Sequence, residues 1–175
     1  MAPGATLTVV RDSSFSRAMA SLDAPMIVVT ASDGVRIAGC LVGFSGQSSI
    51  IPTRYVVYLS KINHTYRVAR RSTHLMVHFL ANDQLDLARH FGELTGDQTA
   101  KFDGVRWKPG PDGSTPLLTQ CGTHMWGRIE RRHHRDGDHG AFVLAPLSTR
   151  TARDFEPLRF HDVCNLDPGH PLHEK

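Results

Sequence analysis

Between Pro25 and Leu80 short β-branched runs alternate with polar punctuation, the rhythm of strands rather than of long helices. Pro25 to Thr30 is one such run, Ser32-Asp33-Gly34 is a turn signal, and Val35 to Gly43 returns as the second strand of a hairpin. The stretch Gly43 to Pro52 is small and polar, and reads as a flexible loop. Tyr55 to Ser60 is a third strand, Asn63 to Arg71 a short helix and His74 to Leu80 a fourth strand. Asn82 or Asp83 opens an amphipathic helix, Gln84 to Phe91, that places Leu87 and Phe91 on one face. Thr95 to Ala100 is a polar loop, and Pro109 to Gly113 marks a longer turn. Leu117 to Arg132 reads as one long strand, or two with an irregularity at Gly122 or Gly127. Asp136-Gly137-Asp138 makes a tight turn into a returning strand, His139 to Leu147. Upstream, Asp12-Ser13-Ser14 caps a helix reaching about Ala20, with Phe15, Met19 and Leu22 on one face. The pattern predicts a mainly β domain with short helices, a small barrel over residues 1–150, and an extended tail over 151–175 that wraps a surface or a partner subunit.

Composition narrows the class. A chain of 175 residues that is 40% hydrophobic and 21% charged can bury a core without metal or disulfides. No apolar run approaches the roughly 18–20 residues of a membrane span. Met1-Ala2-Pro3-Gly4 has neither the basic nor the apolar region of a secretory signal, so a cytoplasmic protein is expected. Cys40, Cys121 and Cys164 are too scattered for a zinc site or a disulfide framework. The net charge is +3, with basic clusters at Arg70-Arg71 and at Arg131-Arg132-His133-His134-Arg135. Interleaved with Asp136 and Asp138, these suit solvent or a docked anionic dinucleotide better than nucleic acid. Which way each arginine points is open at this level. The histidine string lies in a hairpin, where alternate side chains diverge, and so makes a poor metal site.

Two features carry chemistry. Gly43, Phe44, Ser45, Gly46, Gln47, Ser48 and Ser49 form a segment whose backbone N–H groups a flat polar ligand can approach closely. Ser60-Lys61, Asn63 and Thr65 then enter a helix whose N-terminus offers an anion site. Together they suit a planar head with a phosphate tail, and a flavin mononucleotide (FMN) is such a ligand. The bland readings are a plain barrel loop, an Asn63 that only caps its helix, and a solvated Lys61.

The residues resemble the flavin reductase family, whose fold is the FMN-binding split barrel. The match runs from about Ser21 to Leu147. It comprises the Asp33-Gly34 hairpin, Gly43-Phe44 with Gln47 and Ser49, Leu59-Ser60-Lys61-x-Asn63-x-Thr65, Leu87-Ala88-x-x-Phe91, Lys101-Phe102-x-Gly104-Val105-x-Trp107, and Gly137-Asp138-His139, in that order. The resemblance implies a homodimer with flavin near the subunit interface, FMN with FAD as the other candidate. It implies reduction by NADH or NADPH and, in many members, a partner monooxygenase that receives reduced flavin. It also implies that Ser60 touches the ribityl chain, that Phe91 borders the flavin or belongs to the core, and that His139 lies by the nicotinamide as the catalytic candidate. Gly46, Ile51-Pro52-Thr53 and Tyr58 depart from the pattern on the ring side of the pocket. They leave an alternative: a flavin-, deazaflavin- or haem-binding split-barrel protein without reductase turnover.

Overall fold

The computed structural model describes residues 13–135 and 137–169; Asp12 and Asp136, named above for a cap and a turn, lie outside them. The elements are α1 (Ser13–Ser21), β1 (Ile27–Ser32), β2 (Ile37–Val42), β3 (Ser45–Ser49), β4 (Arg54–Ser60), α2 (His64–Ala69), β5 (His74–Phe79), α3 (Leu85–Glu93), β6 (Trp107–Pro109), β7 (Pro116–Leu118), β8 (Thr123–His133), β9 (His139–Arg150) and α4 (Phe160–Val163). Seven strands form one antiparallel sheet in the order β2-β1-β5-β8-β9-β4-β3, while β6 and β7 pair as a separate ribbon. The two edge strands, β2 and β3, are joined by Gly43 and Phe44 alone. A two-residue link cannot span a flat seven-stranded sheet at nearly 5 Å per strand, so the sheet curls until its edges meet. The result is a split half-barrel.

Every residue of β1 is buried, because both faces of this strand are covered. Ile27, Val29 and Ala31 join Val57, Leu59, Leu75, Val77 and Phe142 inside the curl. Val28, with Met26, joins Leu80, Leu87, Phe91 and Leu158 under α3. The segment after Arg150 is stitched to this second core: Met26 N–H donates to Leu158 O (2.8 Å), Leu158 N–H to Leu80 O (2.8 Å) and Phe160 N–H to Ala24 O (2.9 Å). Thus the unpatterned tail wraps the surface of its own chain as far as the described residues extend.

The structure corrects several expectations. The Gly43–Pro52 loop contains a strand, β3, because pairing with β4 satisfies its backbone despite weak β-propensity. The strand expected from Val35 begins at Ile37, since Gly34 adopts φ 86° and leaves Val35 in the turn. Gly122 separates β7 from β8, and a register shift falls at Trp126/Gly127, so both suspected glycines mark irregularities. The third helix is capped at Gln84 rather than Asn82 or Asp83. No helix among the described residues is long and apolar enough to cross a membrane.

One buried polar residue ties the sheet to the β6–β7 ribbon. His78 donates from Nδ1 to Val28 O (3.1 Å), and its Nε2 accepts from Leu118 N–H (2.9 Å). These bonds require the neutral ring, and complete burial pushes its pKa from 6.5 down to about 3. Between those values the unfolded chain binds a proton that the folded chain refuses. Stability from His78 is therefore intact above pH 6.5 and is lost as pH falls toward 3, at about 1.4 kcal/mol per pH unit. The urea midpoint should fall between pH 7 and pH 4. In His78→Leu this slope should flatten, while the orphaned Leu118 N–H costs about 1–3 kcal/mol at neutral pH.

Candidate functional site

The barrel is open where β2 hands over to β3, and the site gathers at that mouth. Phe44, in the two-residue link, remains 61% exposed although aromatic. Its ring lies 5.3 Å from that of His139, tilted by 59°. His139 opens β9, opposite Ser60 at the end of β4. Its Nδ1 donates to Asp138 Oδ1 (2.7 Å), a contact that fixes the tautomer and the orientation of the ring. Lys61 N–H donates to Asp138 O (2.9 Å), and its ammonium to Gly137 O. Five residues singled out in the sequence, Gly43, Phe44, Ser60, Lys61 and His139, therefore meet at one place. A cleft of about 520 Å³ opens there, walled by Met19, Leu22, Met26, Phe44, Tyr58 and Phe160, with His139 at its edge. A second hollow of about 220 Å³ shares Phe44, Tyr58 and His139 and continues to His133 and Ala141.

The remaining candidates lie apart. Tyr58 N–H donates to Phe44 O, so ladder alternation turns the N–H groups of Ser45 and Gln47 toward the free edge of β3. The Ser45 hydroxyl meets Tyr55 Oη (3.0 Å), and Gln47 Nε2 donates to Ser49 O (3.2 Å). Ser48 is exposed, and nothing lies within 4 Å of where a Cβ on Gly46 would stand. Asn63 is the cap of α2, its Oδ1 accepting from Thr65 N–H (2.9 Å). The Thr65 hydroxyl turns inward and bonds Cys40. Phe91 is buried in the core, its ring packed against Gly39 and, edge-on at 5.7 Å, Phe102.

A pocket of about 230 Å³ lies at β2, lined by Ile37, Ala38 and Phe102 together with His64, Thr99, Lys101 and Asp103. Lys101 is only 5% exposed. It donates to Gly39 O (3.2 Å) on the strand edge and to Phe91 O (3.0 Å) in the last turn of α3. An ammonium has three N–H groups, so one is left without an acceptor among the described residues. Burial pulls its pKa below the usual lysine range, opposed by nearby Cys40. His64 is held by Asp97 (Nδ1 to Oδ1, 2.9 Å), whose carboxyl is kept below its ordinary range first by Arg67 and then by His64. Gly39 lies on β2 at this pocket and Gly43 just past the end of that strand at the apolar cleft, four residues on, about 13 Å for an extended chain. A planar apolar slot and an anion pocket joined by a strand edge match a ring, a five-carbon polyol and a phosphate. The residues present fit a flavin.

The profile of the flavin reductase like domain matches residues 19–164. The chain belongs to the flavin reductase family. A ferric-chelate reductase (NAD(P)H) of Archaeoglobus fulgidus is 28% identical over 148 residues, which are 82% of this chain and 85% of that protein. Among solved structures, the NADH:FAD oxidoreductase of Streptomyces globisporus C-1027 superposes with TM-score 0.73 at 23% identity, covering 91% of this chain and 89% of the other. The nitrilotriacetate monooxygenase component B of Mycobacterium thermoresistibile gives TM-score 0.71 at 19% identity, covering 82% and 78%. The flavin reductase split barrel is thus the fold, and the protein is an oxidoreductase of that family.

Sequence reasoning missed Lys101 and His64 as site residues. The signal available for Lys101 is slight: it is the lone cation between Leu94 and Val105, next to Phe102. Packing beside His139 is close. A Cβ on Gly140 would stand 2.5 Å from Tyr66 Cε2 and 2.8 Å from His134 Nδ1, both under the hairpin. Gly140→Ala should therefore cost about 1–3 kcal/mol in urea unfolding. It should also displace the adjacent His139, read as an altered imidazole NMR signal.

Proposed function

We propose that the protein is an NAD(P)H-dependent flavin reductase, with FMN as its flavin, acting as a cytoplasmic homodimer that supplies reduced flavin to an acceptor such as a partner monooxygenase. The observation that carries this reading is the pairing of Phe44 and His139 at an apolar cleft, one strand-length from a pocket floored by a buried, incompletely bonded ammonium. Exposed Phe15, Leu22, Ile50, Ile51 and Leu147 support association with a second copy.

Bound flavin supplies the two-electron acceptor, with negative charge gathering on the N1–C2=O2 side of its ring. Phe44, Met26 and Leu22 would shelter a ring held in the cleft from water, and the Ser45 N–H, turned to the free edge of β3, would be a backbone donor for that charge. His139, whose Nδ1–H donates to Asp138 Oδ1, would position the nicotinamide carboxamide with Nε2 as the acceptor. Lys101, Thr99 and His64, the first residue of α2, would receive the phosphate. Hydride transfer itself requires no general base, so His139 contributes positioning rather than deprotonation.

Anaerobic stopped-flow mixing of the FMN-loaded protein with NADH or NADPH tests the assignment. The oxidised-flavin band should bleach rapidly with at least one nucleotide, and His139→Ala should slow bleaching roughly 10²-fold. Absence of bleaching despite FMN binding would leave a non-catalytic flavin carrier. The anion pocket has its own test, by titrating FMN against riboflavin. Lys101→Met should weaken FMN roughly tenfold or more and leave riboflavin, which lacks the phosphate, nearly unchanged.

A further inference from the structure

The basic hairpin Arg131-Arg132-His133-His134-Arg135 has no role in the mechanism above, and the structure supplies the directions that the sequence leaves open. Arg132 pairs with Phe142 in the β8–β9 ladder, so it lies on the inward face, and its guanidinium donates to Ser72 O. His134 is likewise turned inward, its ring edge-on to Tyr66 at 5.6 Å and to Phe142 at 5.6 Å. Arg128 is engaged with Glu130 (2.7 Å). Arg131 and His133 face the other way. They pair with Val143 and Ala141, which in turn pair with Val56 and Tyr58 of β4. This is the face that carries Tyr58 and Phe44, and His133 itself lines the hollow that continues from His139.

From His139 the face runs over Ala141 to Val143, four residues or about 13 Å, with Arg131 beside Val143. The floor is low, being Ala141, Val143 and Gly46. Arg131 makes no hydrogen bond or ion pair among the described residues; the neighbouring carboxylate, Glu130, is bonded to Arg128, and its charge is also felt by Arg54 and Arg131. On β4, Arg54 lies on the same side of the ladder, bonded only to Thr53 O. The other carboxylate on this path, Asp138, is paired with His139. An extended anionic ligand whose head lies against His139 and Phe44 would thus end beside an unpaired guanidinium, with an imidazole on the way.

We propose that this face selects NADPH over NADH, with Arg131 binding the 2′-phosphate of the adenosine ribose and His133 flanking it. A guanidinium offers planar, multiple N–H donors that suit a phosphate dianion, which NADH lacks. The proposal rests on the reductase reading for the placement of the nicotinamide, and specifies which nucleotide that site uses.

Initial-rate kinetics of FMN reduction with both nucleotides test it. Wild-type protein should favour NADPH in kcat/KM by roughly ten- to hundredfold. Arg131→Ala, at an exposed strand position, should raise KM for NADPH by the same factor and leave NADH unchanged, while Arg36→Ala, at the distant β1–β2 turn, should alter neither. Equal use of the two nucleotides, a preference for NADH, or an equal loss with both in Arg131→Ala would overturn it. A calorimetric titration supplies a readout independent of turnover. Adenosine 2′,5′-bisphosphate should bind the wild-type protein, fail to bind Arg131→Ala, and outcompete adenosine 5′-monophosphate. If neither nucleotide reduces flavin, the reductase reading falls. The bisphosphate titration then still decides this one: loss of binding in Arg131→Ala supports it, and unaltered binding removes it.

Discussion

The whole arrangement depends on the brevity of the link between β2 and β3. Gly43 and Phe44 must connect the two outermost strands of a seven-stranded sheet, and they can do so only if the sheet closes on itself. Closure places Phe44 at the seam, where β9 begins and β4 ends, so an exposed aromatic, His139 and Ser60 meet there without any dedicated loop. It also leaves the outer edge of β2 unpaired by another strand. The apolar cleft takes Gly43 and Phe44 of the link, and the Lys101 pocket takes Ile37, Ala38 and Gly39 of β2.

The two hollows meet different demands. The larger is walled by apolar side chains and touched by one imidazole, which suits a flat ring whose reactive face must stay dry. The smaller contains a desolvated ammonium, a cost that two carbonyls only partly offset. An arriving anion would complete the hydrogen bonding of Lys101, so the burial that weakens its charge in the empty protein also sharpens its preference for a negative ligand. Stability and affinity pull in opposite directions at this residue.

Much of this was legible from residue pattern. The β-branched run from Pro25 to Thr30, the Gly34 turn, the return from Val35 to Gly43 and the Leu87/Phe91 pair gave strands, a hairpin and a helix in their observed order. Gly43, Phe44, Ser60, Lys61 and His139 belong to short motifs on three separate segments, which the family resemblance links and the fold brings together. Ser45–Ser49 was misread as loop because its residues are poor strand formers, and only the partner strand reveals why they are extended. Thr65 and Phe91 were placed on the right elements, but their inward turn is decided by packing against Cys40 and Gly39, far away in sequence. Lys101 was beyond reach for the same reason. Its acceptors, Gly39 and Phe91, belong to two different elements, and a lone lysine in a polar loop ordinarily belongs to solvent.

Gly39 sets a clearance in this fold. A Cβ there would fall 2.7 Å from Phe91 Cε1, so α3 rides closer to β2 than any side chain at that position would permit. Lys101 bridges that same gap, reaching the strand edge with one bond and the helix end with another. Widening the gap would move the two acceptors apart and force the ammonium to abandon one. Residues 39, 91 and 101 are therefore free to drift only together: a bulkier residue at 39 demands a smaller ring at 91, and the pair then dictates whether a lysine can still straddle the seam.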